Sequence, residues 1–141
     1  MRILGIDYGS KRIGIAVSDP LGITAQGVAV IGKGETYDHD IRELKRIIKK
    51  YGGVDEIVVG LPKTMEGKIG PQAEKVLAFV EELKKEFKLN IATWDERLTT
   101  LEAEKMLISA GLSREKRKRV IDKSAAANIL QTYLDRKSNE K

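Results

Sequence analysis

The opening stretch of the chain alternates between apolar and small or polar positions, which predicts β-strands. Two short strands, Ile3 to Asp7 and Ile13 to Val17, meet at a tight turn. After a second turn that begins at Asp19, the stretch from Ile23 to Ile31 predicts a third strand, with Gly27 as a candidate bulge. Because the links are short, the three strands are expected to form an antiparallel meander.

From Tyr37 onward the apolar positions recur every three or four residues, which predicts amphipathic helices between further strands. The first helix runs from Tyr37 to Tyr51 and ends at Gly52-Gly53, and Ile57 to Val59 form an apolar run typical of a strand covered on both faces. The remaining predicted elements are a helix marked by Val76, Val80, Leu83 and Phe87, a strand from Asn90 to Trp94, a helix from Thr99 to about Ala110, and a last helix that carries Asp122 to Leu134.

The predicted order is βββαβαβαα, which indicates an α/β fold. Three antiparallel strands followed by two parallel ones give a five-stranded mixed sheet flanked by helices. The sequence shows no internal repeat, low-complexity segment or domain boundary, so residues 1–141 are expected to form a single domain.

The composition favours a cytoplasmic protein with a polyanionic partner. The chain has no cysteine, no charged-then-apolar leader and no apolar run near the roughly twenty residues of a spanning helix, so no membrane partner is expected. Residues 1–110 carry 17 basic and 17 acidic side chains, whereas residues 111–141 carry 9 basic and 4 acidic ones, which together produce the net charge of +5. Such asymmetry is typical of nucleic-acid partners, although a solvated surface segment would have the same composition.

Asp7 is an unusual residue for the end of an apolar strand, because Asp favours turns and caps. By strict alternation it shares a face with Ile3 and Gly5, so its carboxylate projects from a buried or half-buried sheet. A desolvated carboxylate needs a cation, a metal ion or hydrogen-bond donors. The alternative is a turn Asp that caps the amides of Gly9 and Ser10.

Two further acids are expected near the same edge of the sheet. Asp122 shares the packing face of the last helix with Ala125, Ala126, Ile129 and Tyr133, and the run of alanines would let this helix approach the sheet closely. Glu96 follows the fifth strand, and the carboxyl ends of parallel strands are where α/β sheets bind ligands. Either acid could instead be a solvated charge, Asp122 at a helix start and Glu96 in a loop beside Arg97. Together with Asp7 they would form an all-oxygen site suited to Mg²⁺ or Mn²⁺.

Four segments, in order along nearly the whole chain, resemble the signature blocks of the YqgF (RuvX) family. They are GIDYGSKRIG from Gly5, VGLP from Val59, DERLT from Asp95 and DKSAAANIL from Asp122. The family is similar in fold to RNase H and to the RuvC resolvase, so the resemblance implies an RNase H-like, YqgF-type nuclease domain. It also implies that Asp7, Glu96 and Asp122 are the catalytic acids and bind one or two Mg²⁺ or Mn²⁺ ions.

The function that the resemblance implies is metal-dependent endonuclease cleavage at the 5′ end of precursor 16S ribosomal RNA. Water would attack the phosphodiester in line and leave a 3′-hydroxyl and a 5′-phosphate. RuvC carries an acid at the end of its fourth strand, where this chain has Gly60-Leu61-Pro62. Glu96 would therefore have to take that place from the fifth strand.

Basic residues near the acids are candidates for substrate binding, because phosphate contacts position a nucleic acid. The nearer candidates are Lys11, Arg12, Lys63 and Arg97. A second group could contact the backbone farther away, or could be an exposed helix face: Arg114, Lys116, Arg117, Lys118 and Arg119.

Three other functions stay open. A resolvase of four-way DNA junctions would need a dimer that presents two sites, whereas we expect a monomer or a weak homodimer. An RNA-binding assembly factor could keep the acids for structural reasons only. The segment Gly5 to Ser10 is also similar to the phosphate-binding opening of sugar kinases and actin-like ATPases, but those proteins use two such domains.

Overall fold

The computed structural model of this chain describes residues 1–96, Gly111 and residues 125–139. The predicted helix from Thr99 to Ala110 and the start of the predicted last helix, Asp122 included, lie outside the described residues. The described elements are β1 (Ile3–Tyr8), β2 (Arg12–Ser18), β3 (Ala25–Gly32), α1 (Tyr37–Lys50), β4 (Glu56–Leu61), α2 (Pro71–Glu86), β5 (Asn90–Asp95) and α3 (Ala125–Asn139).

The described strands form a five-stranded sheet in the order β3-β2-β1-β4-β5. Strand β1 is antiparallel to β2, and β2 is antiparallel to β3, whereas β1, β4 and β5 are parallel. Ile15 pairs with Ala29 and Ala16 pairs with Gly27, so Val28 is an additional residue beside the predicted bulge position. The structure therefore confirms the predicted mixed sheet of three antiparallel and two parallel strands.

One face of the sheet packs against α1 and α2. The core there contains the alternate strand residues that point away from Asp7, such as Ile6, Tyr8 and Ile13. The predicted stripe of α1 faces this core, with Ile41 and Leu44 buried. Helix α1 ends as the sequence predicted, because Gly52 and Gly53 have φ values of +78° and +98°, which favour glycine.

Helix α3 packs on the opposite face, directly against the backbone of β1. A Cβ placed on Gly5 would lie 2.8 Å from the Leu130 Cβ and 3.2 Å from the Ala126 carbonyl oxygen. Beside it, Ile3, Ala16 and Val58 complete the second core with α3. The small residues on both surfaces thus allow the close approach that the alanine run predicted.

A buried polar cluster fixes the carboxyl half of α3. Glu56, at the start of β4, is 4% exposed and accepts hydrogen bonds from the Tyr133 hydroxyl and from the Lys137 ammonium group, the latter at 2.8 Å. At the other end of the same helix, Ala126 lies beside Gly14 in β2, which pairs with Asp7. Helix α3 therefore runs antiparallel to β1, with its first turn at the edge of the sheet where Asp7 lies.

No helix within residues 1–96 and 125–139 is long and apolar enough to cross a membrane.

We expect Gly5→Ala to lower the free energy of unfolding by about 1–3 kcal/mol, because its methyl group would force α3 away from β1. Urea unfolding measures the loss. Gly27→Ala is the matched control, since a Cβ on Gly27 meets nothing within 4 Å. Equal stability of the two variants would contradict the close packing of α3.

Candidate functional site

Asp7 lies at the carboxyl end of β1, on the face that α3 covers. It pairs with Gly14 in β2, and a Cβ on Gly14 would lie 3.6 Å from the Asp7 Cβ and 3.5 Å from the Ala126 Cβ. The glycine thus leaves room for the Asp7 carboxylate, which is half-buried. The Gly9 amide donates to the Arg12 carbonyl at 2.9 Å and closes the turn, so it is not capped by Asp7.

Glu96 reaches Asp7 from across the sheet. It follows β5 directly, and its side chain is hydrogen-bonded to that of Asp7. A Cβ on Gly60 would lie 2.5 Å from the Glu96 Oε1 atom. The Glu96 carboxylate therefore occupies the space above β4 that a side chain at position 60 would fill.

The two carboxyls perturb each other because they are close and poorly solvated. Burial raises the pKa of Asp7 above its usual value. Burial, the charge of Asp7 and the hydrogen bond to Asp7 together raise the pKa of Glu96 to about 8, with a smaller contribution from Asp95. Glu96 and Asp7 are coupled, so the proton that the pair retains near neutral pH belongs to both carboxyls together.

This pair could provide two oxygen ligands to a divalent cation. Hard cations such as Mg²⁺ and Mn²⁺ take carboxylate oxygens, and a cation in place of the shared proton would offset both buried charges. Among the described residues no cluster of three or more metal-ligating side chains is present. Asp122, the third predicted ligand, lies outside the described residues, so the predicted triad stays a prediction.

Two of the predicted substrate-binding cations lie beside Asp7. Lys11 and Arg12 are exposed in and after the β1–β2 turn, and they line a cavity of about 920 Å³ together with Asp7. Lys63 lies in the loop that follows β4 and is half-buried. Five predicted cations and Arg97 fall outside the described part of the chain: Arg114, Lys116, Arg117, Lys118 and Arg119.

Sequence reasoning missed the role of Gly60. The departure was visible in the sequence, which has Gly60-Leu61-Pro62 at the end of the fourth strand and no acid there. What the sequence did not reveal is that Glu96 places its carboxylate directly over Gly60. The lack of a side chain at Gly60 thus makes room for the carboxylate of Glu96.

The chain is similar to one family and to several named proteins. The sequence model of the family described as "RuvX: Holliday junction resolvase" matches residues 1–136. A protein of Desulforamulus reducens is 58% identical over 135 residues, covering 96% of this chain and 97% of that protein. One of Clostridium kluyveri is 58% identical over 137 residues, covering 96% and 98%. Both relatives bear the name "Putative pre-16S rRNA nuclease".

Solved structures share the fold at low sequence identity. Thermus thermophilus RuvC in complex with a Holliday junction matches with a TM-score of 0.60 and 12% identity, over 99% of this chain and 96% of that chain. A ROK hexokinase from the same organism matches with a TM-score of 0.52 and 17% identity, over 74% of this chain and 37% of that chain. The likeness to RuvC confirms the RNase H-like fold class, and the hexokinase match reflects the sheet that such kinases share with it.

In the metal-free protein, the free energy of unfolding should fall as the pH rises from about 5 to about 8. Glu96 would ionise near 4.5 in the unfolded chain but at about 8 in the folded one, so its contribution to stability is complete below 4.5 and is lost as the pH rises through 8. Urea unfolding in EDTA across this range measures the slope. Glu96→Gln should flatten it and exposed Glu66→Gln should not; an unchanged slope in Glu96→Gln would refute the assignment.

We expect Gly60→Ala to lower the pKa of Glu96 from about 8 toward 4.5, because the added methyl group would push the carboxylate away from Asp7 and into water. A carbon-13 NMR titration of the glutamate side chains measures this value. Gly32→Ala serves as the control, since a Cβ there meets nothing within 4 Å. A Glu96 pKa that is the same in both variants would show that the carboxylate does not lie over Gly60.

Proposed function

Since this chain belongs to the RuvX family, as its four motif blocks indicated, we propose that it is a metal-dependent endonuclease acting on the 5′ end of precursor 16S ribosomal RNA. The observation that carries the proposal is the hydrogen-bonded Asp7–Glu96 pair at the carboxyl edge of the sheet. The names of relatives that match almost the whole chain support ribosomal RNA as the substrate.

In this proposal Asp7, Glu96 and Asp122 hold the catalytic cation, either one or two Mg²⁺ or Mn²⁺ ions. The bound ion supplies the Lewis acidity that in-line hydrolysis of a phosphodiester requires. Asp7 lies on the central strand of the sheet beside Glu96, and both would be ligands. Glu96 would be ionised in that role, because a ligating carboxylate must be deprotonated.

The exposed cations orient the substrate. Lys11 and Arg12 lie on the same side of the site as Asp7, where they hold the phosphates next to the one that is cleaved. Lys63 occupies the corresponding place after β4. As the sequence predicts, Arg97 would act with these nearer cations, and the basic run from Arg114 to Arg119 would extend the contact to more distant phosphates.

A second candidate function is the resolution of four-way DNA junctions. The description of the matching family favours it, and the RuvC structure with the same fold contains such a junction. It needs a dimer that presents two active sites to opposed strands. A catalytic role for the acids is common to both functions, so the two differ in substrate and in assembly.

We expect Mn²⁺- or Mg²⁺-dependent cleavage of an end-labelled RNA that spans the leader and the 5′ end of 16S ribosomal RNA. Asp7→Asn should reduce the rate by more than about 100-fold, because it removes a charged ligand. It should also stabilise the metal-free fold, since the buried charge is lost. Asp38→Asn, which changes an exposed acid in the first turn of α1, is the matched control.

A four-way DNA junction is tested in parallel. Cleavage of the junction alone would replace the ribosomal substrate with the resolvase function. Tight RNA binding by both proteins without any cleavage would instead identify a non-catalytic assembly factor. Cleavage that Asp7→Asn leaves unchanged would refute the assigned acid.

A further inference from the structure

A trough extends from Asp7 across the exposed face of β2 and β3. Its floor consists of Gly14, Gly27 and Val30, with Ala29 lining it although that residue packs against the core on the other face, and the first turn of α3 closes one side of it with Ala125, Ala126 and Ala127. The turn residues Ser10 and Lys11, together with Arg12, line one end. We call this cavity of about 920 Å³ the β2–β3 trough.

Pairing across the sheet sets the direction of the trough. Asp7 pairs with Gly14, and Gly14 pairs with Val30, so the three residues form one row on one face. The row leads from the candidate active site to the edge strand β3. A ligand that enters the site from this side would therefore lie on the floor of the trough.

The floor is uncovered although it is continuous with the second core. Val30 is 68% exposed, and a Cβ on Gly27 would meet nothing within 4 Å. The same face of β1 and β4, by contrast, packs under α3, where Gly5 and Gly60 are buried. An open, glycine-lined face next to a covered one is a place where a ligand can approach the backbone closely.

The chemistry of the trough fits a sugar–phosphate strand. None of the described side chains on its floor forms hydrogen bonds, and the ladders on both sides of β2 already pair that strand's backbone groups. Its cationic end contains Lys11 and Arg12, which are exposed and form no ion pair with an acid among the described residues. An apolar floor beside exposed cations complements a ribose face with flanking phosphates.

We propose that the β2–β3 trough holds one strand of the nucleic-acid substrate next to the cleaved phosphate. The sugars lie against Val30, and the phosphates face Lys11 and Arg12. The described part of the floor offers no hydrogen-bonding side chain to base edges or to the 2′-hydroxyl, so its contact with the strand does not depend on either. This inference rests on the proposed nuclease function and adds the path of the substrate and its sequence-independent contact.

The absence of cysteine from the chain allows a direct test. Val30→Cys places a single thiol on the floor. Leu21→Cys places one in the β2–β3 turn, at a side chain that is 77% exposed and does not line the trough. Both are made in the Asp7→Asn background, so that the RNA stays intact. The probe is the RNA spanning the leader and the 5′ end of 16S ribosomal RNA, with Mg²⁺ present.

The rate of alkylation by iodoacetamide is measured with and without RNA. At an RNA concentration ten times the dissociation constant, the Val30→Cys thiol should react about tenfold more slowly. The Leu21→Cys thiol should react at the same rate with and without RNA. Single-stranded DNA of the same sequence, at the same ratio to its own dissociation constant, should protect Val30→Cys equally; protection by RNA alone would overturn the sequence- and sugar-independent contact.

A second pair of variants tests the trough without a thiol. Gly27→Val fills the floor without a clash, and Gln26→Val changes an exposed residue of the same strand that does not line the cavity. Fluorescence anisotropy should show weaker RNA binding by Gly27→Val only, with unfolding midpoints confirming that both variants fold.

The possible failures are distinguishable. Tight RNA binding with an unprotected Val30→Cys thiol, or with equal affinity in Gly27→Val and Gln26→Val, would overturn the trough and leave the nuclease proposal intact. No binding of RNA or of a four-way junction by any variant would overturn both.

Discussion

The close contact between α3 and the sheet is the constraint on which the site depends. It exists because Gly5, Gly14 and Gly60 leave the backbone of three adjacent strands uncovered, so that Ala126, Ile129 and Leu130 can settle against it. The buried Glu56, bonded to Tyr133 and Lys137, fixes the far end of the helix. Together these contacts direct the first turn of α3 toward Asp7.

The same compact packing makes the candidate site electrostatically unfavourable without a cation. Asp7 and Glu96 share a poorly solvated space, and the pKa values of both are raised as a result. Such an arrangement lowers the stability of the metal-free protein and would favour the binding of a positive ligand, as is common where function and stability conflict. In the proposed nuclease, a divalent ion would therefore offset the repulsion and the poor solvation of these two carboxyls.

The arrangement also explains how a site without an acid on the fourth strand can keep its geometry. Glu96 crosses from β5 to the space over Gly60, so the carboxylate arrives where a β4 side chain would have placed one. Position 60 has to be small for this to work, since a Cβ would lie within 2.5 Å of the Glu96 carboxylate. A carboxylate from β5 thus lies over β4, at a position where β4 itself has no side chain.

The local pattern of the sequence determined which segments become strands and helices, and on which face Asp7 lies. Those features follow from periods of two and 3.6 residues, which neighbouring residues are enough to define. The family motifs in turn predicted which acids form the site, and the roles of all the predicted site residues stay predictions of the sequence.

Tertiary structure alone decided that Glu96 pairs with Asp7 over Gly60. It also decided that Glu56 forms hydrogen bonds with Tyr133 and Lys137, which are 77 and 81 residues away. Finally, it decided that the described residues leave the trough open. No local period encodes such contacts, because they arise only when the sheet order and the helix direction bring distant residues together.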